Sequence, residues 1–267
     1  MHPIAFKLGT LPVHWYGVLV AMGFIAGLWT AGRRAPLQGI LPEKVGDAGP
    51  WMILGAIIGA RSLYVITYWQ ESFAGHPWTE IFMVQRGGLV FYGGLIGACL
   101  ATVLYCRIRN IPLWKLADVL APSIALGYVF GRLGCLMNGC CFGRACDLPW
   151  AIRFPETNPL GPPTFPVHPT QIYDSLLNLL LYLFLAWLYR RKKFDGQVFA
   201  TYLICYAFTR SFVEYFRGDY NDAHKHAGFL TPAQLVSVGI LATGVALVLV
   251  LRARNSRKPG VVPPRAG

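Results

Sequence analysis

Apolar residues run in long blocks along this chain, and their lengths predict seven helices able to cross a bilayer. They fall at 14–32, 49–69, 87–106, 114–132, 170–189, 196–214 and 231–251. The first, third and seventh hold no Asp, Glu, Lys or Arg. The others carry Arg61, Arg132, Asp174 and the Arg210/Glu214 pair. Thr231-Pro232-Ala233-Gln234 predicts a capping box with proline in the first turn of the last helix. Residues 135–168 are rich in Pro and Gly and predict a small irregular head inserted into one membrane domain spanning 1–254. The basic, Pro/Gly-rich stretch 255–267 predicts a disordered tail. No internal repeat is visible, and the N-terminus lacks the pattern of a cleaved signal peptide.

Composition strengthens this picture. Of the 267 residues 55% are hydrophobic and only 13% charged, against about 25% charged in soluble domains. That composition excludes disorder, collagen, coiled coil and a small disulfide scaffold, and leaves an all-α polytopic membrane protein. The net charge of +12 would suggest nucleic acid in a soluble chain, but here its distribution matters more. Basic residues cluster in alternate loops: Arg33, Arg34 and Lys44, then Arg107, Arg109 and Lys115, then 190–193, then the C-terminal end. Fifteen of the 24 lie there, with four of the 12 acids, so this side holds +11 and the other +1. By the excess of Lys and Arg in cytoplasmic loops, the N-terminus lies outside and the C-terminus inside. No nucleic-acid partner is implied; the partner is the lipid bilayer.

Ionisable groups inside a membrane segment are costly and mark function by default. With that topology, Arg61, Arg132, Arg210 and Glu214 fall toward the outer side of their segments, and so do Tyr16, Tyr92 and Asp174. One polar site opening at the outer leaflet is expected. For any single residue, an i,i+4 ion pair or anchoring at the headgroups explains it equally well. Gly93, Gly94 and Gly97 are explained by close helix packing; Arg132 and Asn138 are not, since each needs a polar partner at the bilayer edge.

Four cysteines, Cys135, Cys140, Cys141 and Cys146, crowd the head. Disulfides pinning an outward-facing head are the plainest reading, with a zinc site and a thiol–disulfide relay as alternatives. The spacing is not a C-x-x-C pair, and no metal or cofactor is expected.

The stretch GRLGCLMNGCCFG at 131–143 resembles the signature of the prolipoprotein diacylglyceryl transferases. HWYG at 14–17, GARSLYV at 59–65, GGLVFYGGLIG at 87–97, HPTQIYD at 168–174, RSFVEYFR at 210–217 and the TPAQ motif beginning at Thr231 follow in the family's order. The resemblance implies a seven-helix enzyme of the bacterial inner membrane with a periplasmic head. Its reaction moves the diacylglyceryl group of phosphatidylglycerol to the lipobox cysteine of a prolipoprotein signal peptide, releasing glycerol 1-phosphate. It also implies that Arg132 and Arg210 grip the phosphate, that Tyr16, Asn138 and Gly143 line the headgroup site, and that Glu214 positions Arg210. Arg61 matches a family arginine, with lipid contact or a structural pairing, Asp174 being one partner, equally open. Arg217 supports the site.

Four positions depart from the family's usual residues: Tyr92 for His, Cys135 for Asn, Cys140 for Glu and Asp174 for Glu. A thiol nucleophile needs activation near neutral pH, so Tyr92 is expected to serve as a hydrogen-bond partner while the arginines stabilise the thiolate. His168 is the other candidate base, with a structural role at least as plausible. Two rivals remain. An anion or lipid transporter would carry polar groups through the full depth of the bilayer, whereas the inner halves of these segments are nearly bare of charge. A membrane thiol oxidoreductase would depend on Cys140 and Cys141.

Overall fold

A computed structural model describes residues 3–9, 11–75, 77–84, 87–154, 165–217 and 231–256. It holds seven long helices: α1 (Trp15–Arg34), α2 (Pro42–Thr67), α3 (Phe91–Ile108), α4 (Leu113–Asn138), α5 (Thr170–Tyr189), α6 (Gln197–Phe216) and α7 (Pro232–Ser256). Six are long and apolar enough to span a bilayer; α6, with Arg210 and Glu214, is the other. The predicted runs are all present, the fifth with its predicted ends and the others with shifted ones. The second helix begins at Pro42, not 49, because proline suits its first turn, and it continues through Pro50 at the loss of one backbone bond. The fourth continues beyond Arg132 to Asn138, where Gly139 turns left-handed at φ 70° and ends it.

Before the first helix lies an unpredicted antiparallel hairpin of β1 (Ile4–Leu8) and β2 (Leu11–His14). Asn255 and Ser256, assigned to the tail by composition, close α7. The rest of that tail, 257–267, and the middle of the head, 155–164, lie outside the described residues.

The chain divides into two compact units, residues 31–116 and residues 1–30 with 117–267. In the first unit α2 and α3 meet through two small-residue motifs, Gly55/Gly59 and Gly93/Gly97. A methyl group on Gly59 would overlap the Gly93 carbonyl oxygen, and one on Gly97 the Gly55 carbonyl oxygen. The backbones therefore touch directly, as in Gly-x-x-x-Gly membrane pairs. In the second unit α1 lies against α4, where Gly23 faces Phe130, and the Thr30 and Ser123 hydroxyls are 3.1 Å apart. Apolar side chains such as Ile25, Ile66, Leu100, Leu180 and Phe208 point outward and exposed, as a surface facing lipid tails requires.

At one end of the second unit, Asp118 is fully buried. It accepts hydrogen bonds from Lys192 Nζ (2.7 Å) and from the backbone N–H groups of Gly196 (2.8 Å) and Phe199 (3.0 Å) at the start of α6. The carboxylate thus caps a helix N-terminus and pairs with a lysine. In the sequence the two residues count only toward the charge of the loops and helix ends. Lys192→Met leaves that carboxylate without its counter-ion and is expected to destabilise the protein by about 3–5 kcal/mol, seen as an earlier unfolding midpoint in detergent. Combining it with Asp118→Asn should recover much of that loss.

Candidate functional site

The opposite end of the same unit gathers the polar residues of α1, α4, α5, α6 and α7. Helix α5 contributes a buried stripe of Thr170, Gln171, Asp174, Ser175 and Asn178, which recurs at helical spacing and gives way to Leu181 and Leu185 further along. Asp174 is the centre of this stripe. Its Oδ2 lies 2.7 Å from Arg132 Nε and 3.4 Å from the Tyr128 hydroxyl, while Asn178 Nδ2 donates to its Oδ1 at 3.1 Å. Arg132 also donates to Tyr128 from Nη2 at 2.7 Å, one turn below it on α4. The side chains of Arg132 and Asp174 are only 13% and 2% exposed. The partner of Asp174 is therefore Arg132 and not Arg61.

A second pair stands beside it on α6. Arg210 Nη1 and Glu214 Oε2 are 2.7 Å apart without the alignment of a hydrogen bond, so the contact is an ion pair. Glu214 is further held by the Thr231 hydroxyl at 3.0 Å and by Arg217 Nε at 3.9 Å. Thr231 also receives the Gln234 N–H at 3.3 Å and donates its own to Gln234 Oε1 at 3.0 Å, completing the predicted capping box. The Tyr128 and Tyr206 rings meet edge to face between α4 and α6, and Arg210 and Arg217 lie close enough to act on the Asp174 charge. Three arginines and two carboxylates thus form one cluster with a single positive charge in excess. Asp174 and Tyr128 engage Arg132 through Nε and Nη2, and Glu214 meets Arg210 at Nη1.

Other predicted residues take different places. Tyr16, about half exposed at the start of α1, rests on Gly134, and Asn138 ends α4 with its amide 3.8 Å from the Cys140 sulfur. Gly143 is a crossing point of backbones: a methyl group there would come within 2.5 Å of His168 Cβ and 2.6 Å of the Phe216 carbonyl oxygen. Gly143 N–H donates to the His168 carbonyl and Arg144 N–H to that of Phe216, tying the head to α5 and α6. His168 Nδ1 lies 3.2 Å from the Tyr173 hydroxyl, and burial together with the Arg144 charge holds its imidazole below the ordinary histidine range.

Arg61 and Tyr92 belong to the other unit. The Arg61 guanidinium donates to four backbone carbonyls, those of Glu80 (2.6 Å), Ile81 (2.8 Å), Gly87 (2.9 Å) and Gly88 (3.1 Å). These bonds hold the connection between α2 and α3. Tyr92 is half exposed in the first turn of α3, edge-on to Phe91.

All seven cysteines are free thiols. Cys135, Cys140 and Cys141 converge, their sulfur atoms all within 4.8 Å of one another, and Cys146 stands outside this group. Hydrogen bonds from Cys135 and Cys140 lower the Cys141 thiol below the usual thiol range, and Arg217 and Arg132 act in the same direction.

Seven long helices, with an arginine–carboxylate cluster buried at one end of one unit, define a polytopic α-helical membrane protein with a localised polar site. The family model described as prolipoprotein diacylglyceryl transferase matches residues 3–250, and the chain belongs to that family. It is 36% identical over 270 residues to the phosphatidylglycerol–prolipoprotein diacylglyceryl transferase of Synechococcus elongatus, covering 98% of this chain and 91% of that protein. The same-named proteins of Clostridium tetani and Finegoldia magna are 33% and 36% identical, with 96% and 92% of this chain covered and 100% and 94% of theirs.

Proposed function

We propose that this protein transfers the diacylglyceryl group of phosphatidylglycerol to the lipobox cysteine of prolipoprotein signal peptides. The observation that carries the reading is the buried arginine cluster, in a member of a family named for this transfer. In the reaction the cysteine sulfur bonds to the glycerol carbon, the carbon–oxygen bond to phosphate breaks, and the thiol proton is released. A phosphodiester with one negative charge becomes a phosphomonoester that approaches two. Charge therefore grows on the phosphate oxygens as the bond breaks, and donors already fixed around them favour the transition state over the bound lipid.

Asp174 and Glu214 supply that fixity. Asp174 and Tyr128 engage Arg132 through Nε and Nη2 and Glu214 meets Arg210 at Nη1, so in this reading the Nη1 of Arg132 and the other nitrogens of Arg210 serve the phosphate, as donors spread over a planar guanidinium that a lysine lacks. The excess of one positive charge in the cluster matches the single charge of the phosphodiester. Tyr16 and Asn138 flank the headgroup by this reading, and Gly143 acts by letting the head close against α5 and α6. Arg61 shapes its own unit without touching lipid. The distribution of basic loops supports an N-out, C-in topology in the bacterial inner membrane, with the cluster toward the periplasmic leaflet. Residues 1–254 then form one membrane domain, with the head as an insertion.

The test uses purified protein, phosphatidylglycerol labelled in its acyl chains and a lipobox peptide. Label should pass to the peptide thiol, and glycerol 1-phosphate should appear in equal amount. Absence of transfer by folded protein would reject the reading. Tyr92→Phe in the same assay addresses thiol activation: with Tyr92 as a hydrogen-bond partner, kcat should fall about tenfold or more, and unchanged transfer would remove Tyr92 from the mechanism.

A further inference from the structure

The converging thiols lie outside the transfer chemistry described above, and their arrangement is built by the backbone. Cys135 sits in the last turn of α4, one turn beyond Arg132. Gly139 then reverses the chain at φ 70°, with Cys140 N–H donating to the Cys135 carbonyl at 3.1 Å. Cys141 also adopts a left-handed conformation, at φ 64°, which costs a residue with a side chain about 1 kcal/mol or more. These two turns direct the neighbouring sulfur atoms of Cys140 and Cys141 back toward Cys135. Helix α5 holds the loop in place: Gln171 Nε2 donates to the Cys140 carbonyl and the Thr170 hydroxyl to the Cys141 carbonyl, each at 2.7 Å.

We propose that Cys135, Cys140 and Cys141 form a three-thiolate site for a single thiophilic cation of the zinc or copper(I) class. A disulfide would use two of the thiols and strand the third; a cation uses all three. Zinc–sulfur bonds of about 2.3 Å place sulfur atoms about 3.8 Å apart, and the three sulfurs already lie within 4.8 Å of one another. Softness of the donors selects such ions over magnesium or calcium. On binding a divalent ion, three S–H bonds break, three protons pass to solvent and three metal–sulfur bonds form, leaving a complex of charge −1. Arg132 and Arg217 lie near enough to Cys141 to offset that charge. A three-ligand zinc site keeps its fourth position open.

Cadmium is the probe, added to the full chain purified with reductant in detergent and then freed of it. The expected result is one Cd2+ bound per chain, with thiolate-to-metal charge-transfer absorption and a cadmium NMR shift characteristic of sulfur-rich coordination. Cys135→Ser, Cys140→Ser and Cys141→Ser should each weaken binding at least about tenfold, whereas Cys146→Ser and Cys205→Ser leave it unchanged. The NMR shift of the unmodified protein reports the ligands even if a variant fails to fold. A shift showing oxygen or nitrogen coordination, binding that survives the three substitutions, or a disulfide between any two of these cysteines in the protein as isolated would overturn the proposal. None of these readouts depends on transferase activity.

Discussion

Arg132→Lys is expected to lower diacylglyceryl transfer at least about a hundredfold while the protein still folds. Removing one fixed donor from a developing oxyanion typically costs 10²–10³ in kcat, and lysine keeps the charge but loses the fork. Lysine can still neutralise Asp174, so the fold is retained; its single ammonium, drawn to the carboxylate, no longer presents a separate nitrogen such as Nη1 to phosphate. Arg132→Ala should be worse in a second way. Asp174, 2% exposed, would lose its counter-ion, at a cost of about 3–5 kcal/mol. The double variant Arg132→Ala/Asp174→Asn separates the two effects, because it removes the stranded charge but not the need for the arginine. Thermal unfolding in detergent should recover toward wild type, and transfer should stay at the level of Arg132→Ala. Recovered transfer in the double variant would show that Arg132 serves folding alone.

The second large effect concerns α2 and α3. Gly59→Val places a branched side chain where the Gly93 carbonyl oxygen already lies against it. Overpacking in a core costs about 1–3 kcal/mol when side chains can shift. Here the obstacle is backbone, so the expected loss is at the top of that range or beyond, with little folded protein recovered. Gly97→Val meets the Gly55 carbonyl oxygen and should behave alike. Gly46→Ala is the matched control: it is in the same α2, has nothing within 4 Å of the added methyl, and should be neutral or stabilising by up to about 1 kcal/mol. Unfolding midpoints of the three variants decide the matter, and equal midpoints would mean that the two helices part more easily than their contact suggests.

These expectations show what could be read in advance. Apolar runs located every long helix, because crossing a bilayer imposes both length and composition. The Thr231–Gln234 cap was readable for a similar reason, since its partners lie three residues apart. Arg132, Arg210 and Glu214 stood out as charges where charge is costly. Their pairing was only half legible: Glu214 lies one turn from Arg210, but Asp174 is 42 positions from Arg132, and Arg61 offered an equal guanidinium. Arg61 itself binds carbonyl groups, which every residue possesses and no motif announces. The sulfur cluster depends on a left-handed cysteine after a left-handed glycine, a conformation that residue identity does not reveal. The Asp118–Lys192 contact was hidden because loop lysines are ordinarily topology signals.

The polar stripe of α5 has a further consequence, for how the protein is made. A helix bearing Asp174, Asn178 and Gln171 on one face is a poor candidate for release into lipid alone, since an unpaired carboxylate and two amides in a membrane segment are costly without partners. Its counter-ion is already present in the preceding helix by the time α5 emerges from the ribosome. Helices α4 and α5 are thus matched for pairing, the arginine of one answering the acid of the other. The same salt bridge that steadies the site lowers the cost of placing both helices in lipid together.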